Sequence, residues 1–267
     1  MTASVAVIPA AGRGTRMRPA TRIVPKALVT VVDRPAVQYV VEEAVRGGAE
    51  EVIMVVDLDA GHLVQQHFLM EGRLPGLEDI KIRVVVQEEP LGLGHAVWEA
   101  AEAVRDRSFF CLLADNIVRP GGDVLRALAA ASQGNSAVCL RRLSDEFLSK
   151  YGVVVPGSDV VDRTLDVIGA VEKPGPEHAP SNLGLIGRYL FTPEIFEVLA
   201  KLPPGHGGEI QLTDAIDRLA SSGKCRGYVA EEDLLDVGTP IGLLEASVEL
   251  GEHQFGQEFN AWLKERA

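Results

Sequence analysis

Short apolar runs alternate with amphipathic segments along the first half of the chain. Four runs are apolar and rich in β-branched residues, as expected of strands buried on both faces of a parallel sheet. They cover residues 5–9, 51–56, 82–86 and 109–113. Between them, helical spacing occurs over residues 35–47, 62–68 and 94–104. The order β-α-β-α-β-α-β predicts an α/β, Rossmann-like fold with a central, mostly parallel sheet and helices on both faces.

The second half continues this alternation and adds a hairpin. Residues 152–155 and 167–171 read as strands, with the turn sequence Pro156-Gly157-Ser158-Asp159 after the first of them. Further strands are predicted at 137–141, 185–191 and 226–229, with helices at 124–131, 193–202, 212–221 and from 241 onward. Because no repeat or low-complexity linker divides the chain, we expect a single domain over 1–267 with a smaller β-rich part.

Composition narrows the class of protein. The 267 residues are 46% hydrophobic and 24% charged, which indicates a folded globular chain. Lys and Arg number 26 against 38 Asp and Glu, a formal charge of -12, so the average surface repels nucleic acid and anionic lipid. We therefore expect no nucleic-acid partner and no membrane partner.

Cysteines and the amino terminus indicate the compartment. Cys111, Cys139 and Cys225 form neither a CxxC pair nor a dense framework and are predicted to be buried free thiols. The start of the chain has no basic signal region, and no stretch approaches the ~20 apolar residues of a membrane span. These features predict a cytoplasmic protein.

A basic, glycine-rich segment follows the first strand. Gly12-Arg13-Gly14 leads into a stretch that contains Arg16, Arg18, Arg22 and Lys26. Backbone N–H groups in such a turn can bind phosphate, although Met17 breaks the GxGxxG pattern and no GxxxxGK[ST] occurs. A purely structural turn with a solvated face is the alternative. The concentration of positive charge in an acidic chain favours a phosphate site.

Two aspartates follow apolar runs. Asp115 comes after the strand at 109–113, and Asp236 lies in a similar setting in the sequence LLDVGTP. Mg²⁺ favours one or two carboxylates together with phosphate oxygens and water, which two separated aspartates can supply. The alternative is that each Asp only caps a turn or helix.

The chain resembles a known family in several collinear motifs. Residues 6–26, AVIPAAGRGTRMRPATRIVPK, resemble the signature loop of the bacterial UTP-glucose-1-phosphate uridylyltransferases, within the sugar-phosphate nucleotidylyltransferases. The resemblance continues through GLGHA at 92–96, EKP at 172–174, PSNL at 180–183, GRY at 187–189 and GEIQLTDA at 208–215. It implies that 1–135 mainly binds nucleotide, that 136–240 mainly binds the sugar phosphate, and that 241–267 forms C-terminal helices.

The resemblance implies an enzyme that joins a nucleoside triphosphate to a sugar 1-phosphate and releases pyrophosphate. UTP and glucose 1-phosphate are the favoured substrates, and Mg²⁺ is the expected cofactor. The implied catalytic residues are Arg16, Lys26, Asp115, Lys173 and Asp236, with Asp115 and Asp236 as metal ligands. The implied nucleotide-binding residues are Ala11, Gly12, Gly14, Thr15, Gln87 and Gly92. The implied sugar-binding residues are Tyr151, Gly152, Glu172, Lys173, Asn182 and Glu209.

Some positions depart from the family pattern. The connection between Phe68 and Ile82 is short, where the bacterial enzymes usually have a helical insertion that contributes to assembly, so a homo-oligomer stays an open alternative. Ala27, Thr30 and the DVGTP turn leave guanylyl, thymidylyl or adenylyl transfer as alternative activities. A non-catalytic nucleotide-sugar sensor is an alternative of another class. A nicotinamide oxidoreductase is disfavoured because the third glycine is missing.

Overall fold

A computed structural model describes residues 3–70, 74–119, 123–232 and 234–265. Its strands are β1 Val5–Pro9, β2 Thr30–Val31, β3 Arg34–Pro35, β4 Glu51–Val56, β5 Lys81–Val86, β6 Phe109–Leu112, β7 Asn116–Val118, β8 Ser136–Arg142, β9 Val153–Pro156, β10 Thr164–Val171, β11 Leu183–Phe191, β12 Cys225–Val229 and β13 Leu234–Asp236. Its α-helices are α1 Ala36–Arg46, α2 Leu58–Gln65, α3 Leu93–Glu99, α4 Ala101–Val104, α5 Val124–Ser132, α6 Glu194–Leu199, α7 Leu212–Ser221, α8 Pro240–Phe255 and α9 Gln257–Lys264.

One sheet contains strands from both halves of the chain. The order of its nine described strands is β5-β4-β1-β6-β11-β8-β12-β10-β9. The predicted parallel arrangement holds from β5 to β6 and again between β8 and β12. The sheet as a whole is mixed rather than mostly parallel, because β11 runs antiparallel between β6 and β8 and β10 pairs antiparallel with β12 and β9. The α/β class itself is confirmed.

Helices cover both faces of the sheet, as predicted. Successive side chains of β1 point to opposite faces, so Ala6 and Ile8 enter one core while Val5 and Val7 enter the other. Apolar side chains of α1, α2 and α5 fill the first core, and those of α3, α6 and α7 fill the second. Strands that are apolar on both faces therefore occupy the centre of the molecule.

Short pairings outside the main sheet were not predicted from the sequence. Strands β2 and β3, each two residues long, form an antiparallel hairpin. Strand β7 pairs antiparallel with β13. Helix α8 packs over these elements, where Val31, Ile117, Leu235 and Leu250 belong to a third cluster of buried residues. Strands of two or three residues are too short to show an alternating pattern, which is why periodicity missed them.

Most predicted elements match the structure to within a few residues. Helix α2 begins earlier than predicted, at Leu58, because the Asp57 carboxylate caps it by accepting a hydrogen bond from the Ala60 N–H at 2.7 Å. The hairpin predicted around residues 156–159 is confirmed as the antiparallel pair of β9 and β10. The short connection noted between residues 68 and 82 includes 71–73, which lie outside the described residues.

The cysteines are buried free thiols, as expected. Burial raises the pKa of all three thiols, that of Cys225 to about 12. Within the described ranges, no helix has the length and apolar character needed to cross a membrane.

Core packing makes a direct prediction for stability. Leu128 on α5 is fully buried against the sheet, so Leu128→Ala should lower the free energy of unfolding by about 2–5 kcal/mol through lost burial and a residual cavity. Leu244→Ala on α8 is the matched control, since Leu244 is 59% exposed and its truncation should change stability by less than about 0.5 kcal/mol. Urea denaturation measures both, and equal losses would contradict the assigned core.

Candidate active site

A cavity opens at the carboxyl ends of β1 and β6. These strands are parallel neighbours, with Ala6 opposite Phe110 and Val7 opposite Cys111, so the segments that follow them emerge at the same edge of the sheet. The cavity measures about 480 Å³. Its lining includes the predicted residues Ala11, Gly12, Gly14, Thr15, Lys26, Gln87, Gly92, Asp115 and Glu209.

A second, larger cavity adjoins the first. It measures about 1330 Å³, and Asp115 and Glu209 line both cavities. Its lining includes the predicted residues Arg16, Asp115, Tyr151, Gly152, Glu172, Lys173, Glu209 and Asp236. Asn182 is not among the lining residues of either cavity. It is exposed, and its carbonyl accepts a hydrogen bond from the Leu143 N–H at 2.8 Å.

Local contacts fix the conformation of the glycine-rich loop. Gly14 has a φ of +57°, and a Cβ there would lie 2.9 Å from the Thr21 methyl group and 3.0 Å from the Lys26 Cβ. The Thr21 hydroxyl donates to the Gly14 carbonyl at 2.6 Å. Met17, the residue that breaks the dinucleotide-binding pattern, is buried and anchors the short 3₁₀ helix Thr15–Met17. The loop therefore presents its backbone to the first cavity.

The two aspartates are brought together by the pairing of β7 with β13. Asp115 immediately precedes β7, and Asp236 is the last residue of β13, opposite Asn116. The Val237 N–H also donates to the Asp115 carbonyl at 2.9 Å. This antiparallel pairing joins two segments far apart in the sequence and places both carboxyl groups beside Lys26.

Three charged groups converge on the space beside Gly238. A Cβ at this glycine would lie 2.8 Å from the Asp236 Oδ1, 2.8 Å from the Lys26 Nζ and 2.9 Å from the Asp115 Oδ2. Lys26 forms an ion pair with Asp115, and the side chains are 14% and 24% exposed. The capping role weighed for Asp236 also exists, since its Oδ1 accepts a hydrogen bond from the Gly238 N–H at 2.8 Å.

Glu172 and Lys173 face the second cavity. The Glu172 carboxylate is 11% exposed, accepts a hydrogen bond from the Thr213 hydroxyl at 2.6 Å, and lies 2.8 Å from the Lys173 ammonium. The lysine side chain is 40% exposed. The two side chains therefore form an ion pair, whose carboxylate is held in the wall of the cavity rather than on the open surface.

The Gln87 amide forms part of the first cavity. Its Nε2 donates to the Gly92 carbonyl at 3.2 Å and bonds to the His95 Nδ1 at 2.9 Å. His95 thus supports Gln87 and is not itself in the lining. Backbone bonds from Gly94 N–H to Ile210 carbonyl and from Ile210 N–H to Leu91 carbonyl, each 2.8 Å, attach the segment of Glu209 to this loop.

Comparison with known proteins shows the family of the chain. A family model described as nucleotidyl transferase matches residues 5–253. The chain belongs to this family.

Curated relatives of the enzyme are similar over most of their length. A UTP--glucose-1-phosphate uridylyltransferase 2 of Staphylococcus saprophyticus is 38% identical over 263 residues, covering 91% of this chain and 90% of the relative. A UTP--glucose-1-phosphate uridylyltransferase of Bacillus subtilis is also 38% identical, covering 91% and 89% of the two chains.

Solved structures show the same fold. A UDP-glucose pyrophosphorylase complexed with UDP-glucose superposes with a TM-score of 0.85 at 32% identity, covering 98% of the enzyme and 99% of that chain. A UTP-bound UGPase from Acinetobacter baumannii superposes with a TM-score of 0.84 at the same identity and coverage.

Several residues of the second cavity were not predicted as site residues. They are Asn116, Arg141, Lys150, Gln211 and Thr213. Arg141 lies near the end of β8, so its strand-end position could have indicated a site residue. Gln211 and Thr213 belong to the GEIQLTDA motif, which could have indicated them in the same way. Burial, together with the carboxylates of Asp236 and Asp115, raises the pKa of the nearby Tyr151 phenol above its ordinary value.

The three charged groups beside Gly238 lead to a prediction for the rate of nucleotidyl transfer. Gly238→Ala should lower the rate by at least ~10-fold, because a methyl group there displaces all three charged groups and small misplacements cost up to ~10²-fold. Gly61→Ala is the control, since its added Cβ would make an ordinary 3.6 Å contact with Val56. Pyrophosphate release and thermal melting are measured for both, and a fully active Gly238→Ala enzyme would show that the convergence is not used.

Proposed function

We propose that the enzyme joins UTP to glucose 1-phosphate, giving UDP-glucose and pyrophosphate. The observation that carries this proposal is the pair of adjoining cavities that share Asp115 and Glu209. One cavity presents a glycine-rich loop and Lys26, which suit a triphosphate, and the other presents Glu172 and Lys173, which suit a sugar phosphate. The curated relatives and the structures with UTP or UDP-glucose support this choice of substrates.

The reaction needs two polyanions held in line. A phosphate oxygen of glucose 1-phosphate attacks the α-phosphorus of UTP, the bond to the β-phosphate oxygen breaks, and pyrophosphate leaves. In this proposal Lys26 binds the triphosphate from the first cavity, and Arg16 contacts it from the adjoining second cavity. Lys173 binds the sugar phosphate, and Glu172 accepts hydrogen bonds from sugar hydroxyls. Positioning and charge neutralisation then supply the catalysis.

Direct transfer is supported by the cavity linings. Among the residues that the structure describes, neither lining includes a Ser, Cys or His side chain that could act as a covalent nucleophile. The three cysteines are buried, and burial raises the pKa of each thiol, which disfavours the reactive thiolate. We therefore propose a complex that contains both substrates at once, without a nucleotidylated enzyme.

We further propose that Asp115 and Asp236 hold a Mg²⁺ ion. The two residues fit this role because one oxygen from each lies beside the same small space next to Gly238. A Cβ placed there would be 2.8 Å from the Asp236 Oδ1 and 2.9 Å from the Asp115 Oδ2, so the two oxygens are close enough to bind one ion. Two carboxylates with phosphate oxygens and water are a ligand set typical of Mg²⁺. When bound, such an ion neutralises negative charge on the phosphates. Lys26 also forms an ion pair with Asp115.

The amide of Gln87 favours uracil over cytosine and adenine. With its Nε2 bonded to the Gly92 carbonyl and the His95 ring, the other polar atom of the amide, Oε1, is a hydrogen-bond acceptor. Uracil carries an N3–H donor that matches an acceptor, whereas cytosine and adenine carry acceptors at the corresponding edge. Guanine and thymine also carry a donor there, so this contact alone does not exclude them.

A nucleotide panel tests the proposed function. With glucose 1-phosphate held constant, kcat/KM should be highest for UTP, and at least ~5-fold lower for CTP and ATP because an unpaired buried polar group costs about 1–3 kcal/mol. A GTP or dTTP value tenfold above that of UTP would contradict the choice of base. Replacing glucose 1-phosphate with other sugar 1-phosphates tests the sugar in the same assay.

Removal of either carboxylate tests the metal site. Asp115→Asn and Asp236→Asn should each lower turnover by at least ~10²-fold through lost charge stabilisation, and a chelator should abolish activity. Asp159→Asn, in the exposed hairpin loop, is the control that should leave turnover unchanged. Near-normal activity of one variant would remove that residue from the mechanism, and full activity in chelator would remove the metal.

A further inference from the structure

The GRY sequence places an arginine directly behind the turn that carries Asp115. Arg188 lies on β11 and is fully buried. Its partner is Glu43 of α1, which is also buried. The Arg188 Nε donates to the Glu43 Oε1 at 2.8 Å and the Nη2 donates to the Oε2 at 2.7 Å, a two-point contact that fixes the plane of the guanidinium.

The remaining N–H groups of this guanidinium are directed to main-chain carbonyls. Nη2 donates to the Asn116 carbonyl, and Nη1 donates to the carbonyls of Gly187 at 2.9 Å and Leu113 at 3.4 Å. Leu113 and Asn116 lie on either side of Asp115 in the sequence. One buried cation therefore holds the backbone both before and after this aspartate.

The turn needs such a contact because it lies between two sheets. Strand β6 ends at Leu112, and the chain leaves the main sheet before it pairs with β13 from Asn116 onward. Strand β11 leaves room for this turn because residue 187 is a glycine. Gly187 has a φ of +78°, and a Cβ there would lie only 2.7 Å from the Asn116 Nδ2. A lysine could not replace the arginine fully, because one ammonium cannot span three carbonyls and a carboxylate with the same geometry.

We propose that the Arg188–Glu43 pair is a positioning device for Asp115, an inference that rests on the proposed metal-binding role of that carboxylate. A purely structural ion pair is the competing explanation. The two differ in a testable way, because a buried ion pair can often be replaced by apolar residues without loss of stability. Loss of residues that orient a metal ligand, by contrast, typically lowers metal affinity or activity 10–100-fold.

The experiment replaces the whole pair, so that no buried charge is left alone. The test variant is Arg188→Met/Glu43→Met, and Arg188→Lys is a second variant that keeps the positive charge. The control is Arg107→Met/Glu51→Met, which removes a 2.8 Å ion pair at the amino end of β4, the edge of the sheet opposite the cavities. Glu51 also pairs with Lys81 and Arg83, and both of these cations are exposed to solvent without it. For each protein we would measure thermal melting, binding of Mn²⁺ alone by electron paramagnetic resonance, and pyrophosphate release against Mg²⁺ concentration.

The positioning role predicts a specific combination of results. The folded double variant should bind Mn²⁺ at least ~10-fold more weakly and require at least ~10-fold more Mg²⁺ for half-maximal turnover, while the control matches wild type. Arg188→Lys should change both quantities in the same direction. A folded double variant that binds Mn²⁺ with wild-type affinity would overturn the inference. If the double variant does not fold, wild-type Mn²⁺ affinity in Arg188→Lys would overturn it instead. An inactive wild-type enzyme would contradict the proposed function separately, because Mn²⁺ binding still reports on Asp115.

Discussion

Parallel pairing of β1 with β6 is the constraint on which the site depends. The carboxyl ends of parallel neighbours lie at the same sheet edge, so the glycine-rich loop after β1 and Asp115 after β6 emerge side by side. The apolar residues of both strands are buried on both faces, and the register pairs Ala6 with Phe110 and Val7 with Cys111, which aligns the ends of the two strands. The short pairing of β7 with β13 then adds Asp236 from a distant part of the chain.

Charge at this edge differs from charge on the rest of the molecule. The chain has a formal charge of -12, yet Arg16, Lys26 and Lys173 all line the two cavities. Two of these cations have carboxylate partners in the described structure: Lys26 pairs with Asp115, and Lys173 pairs with Glu172. Such pairing limits the repulsion among the cations that, in the proposed reaction, bind two polyanions.

Local patterns explain what the sequence could predict. Apolar runs of four to six residues identified the central strands, and the rule that ligands lie beyond strand ends selected the loop at 10–15 and Asp115. Asp236 was selected in the same way, from its position after an apolar run, and the family resemblance then implied a metal-ligand role for both aspartates. Asn182, expected in the sugar pocket from the same resemblance, lies outside the cavity linings.

Long-range contacts explain what the sequence could not predict. The antiparallel insertion of β11 between β6 and β8 has no periodic signature, so the sheet is more mixed than expected. Glu43 and Arg188 are 145 residues apart, and nothing in either local sequence indicates that they meet. Their contact follows from packing α1 against a sheet whose strand order is set by the whole chain.

In the proposed reaction, one cleft holds both substrates and the sugar phosphate attacks the α-phosphorus directly. The stereochemical course at that phosphorus tests it most directly, using UTP with a single sulfur-substituted diastereomer at the α-position and glucose 1-phosphate. A single in-line displacement predicts inversion of configuration in the product. Retention would require two displacements and a nucleotidylated enzyme, and would contradict the claim.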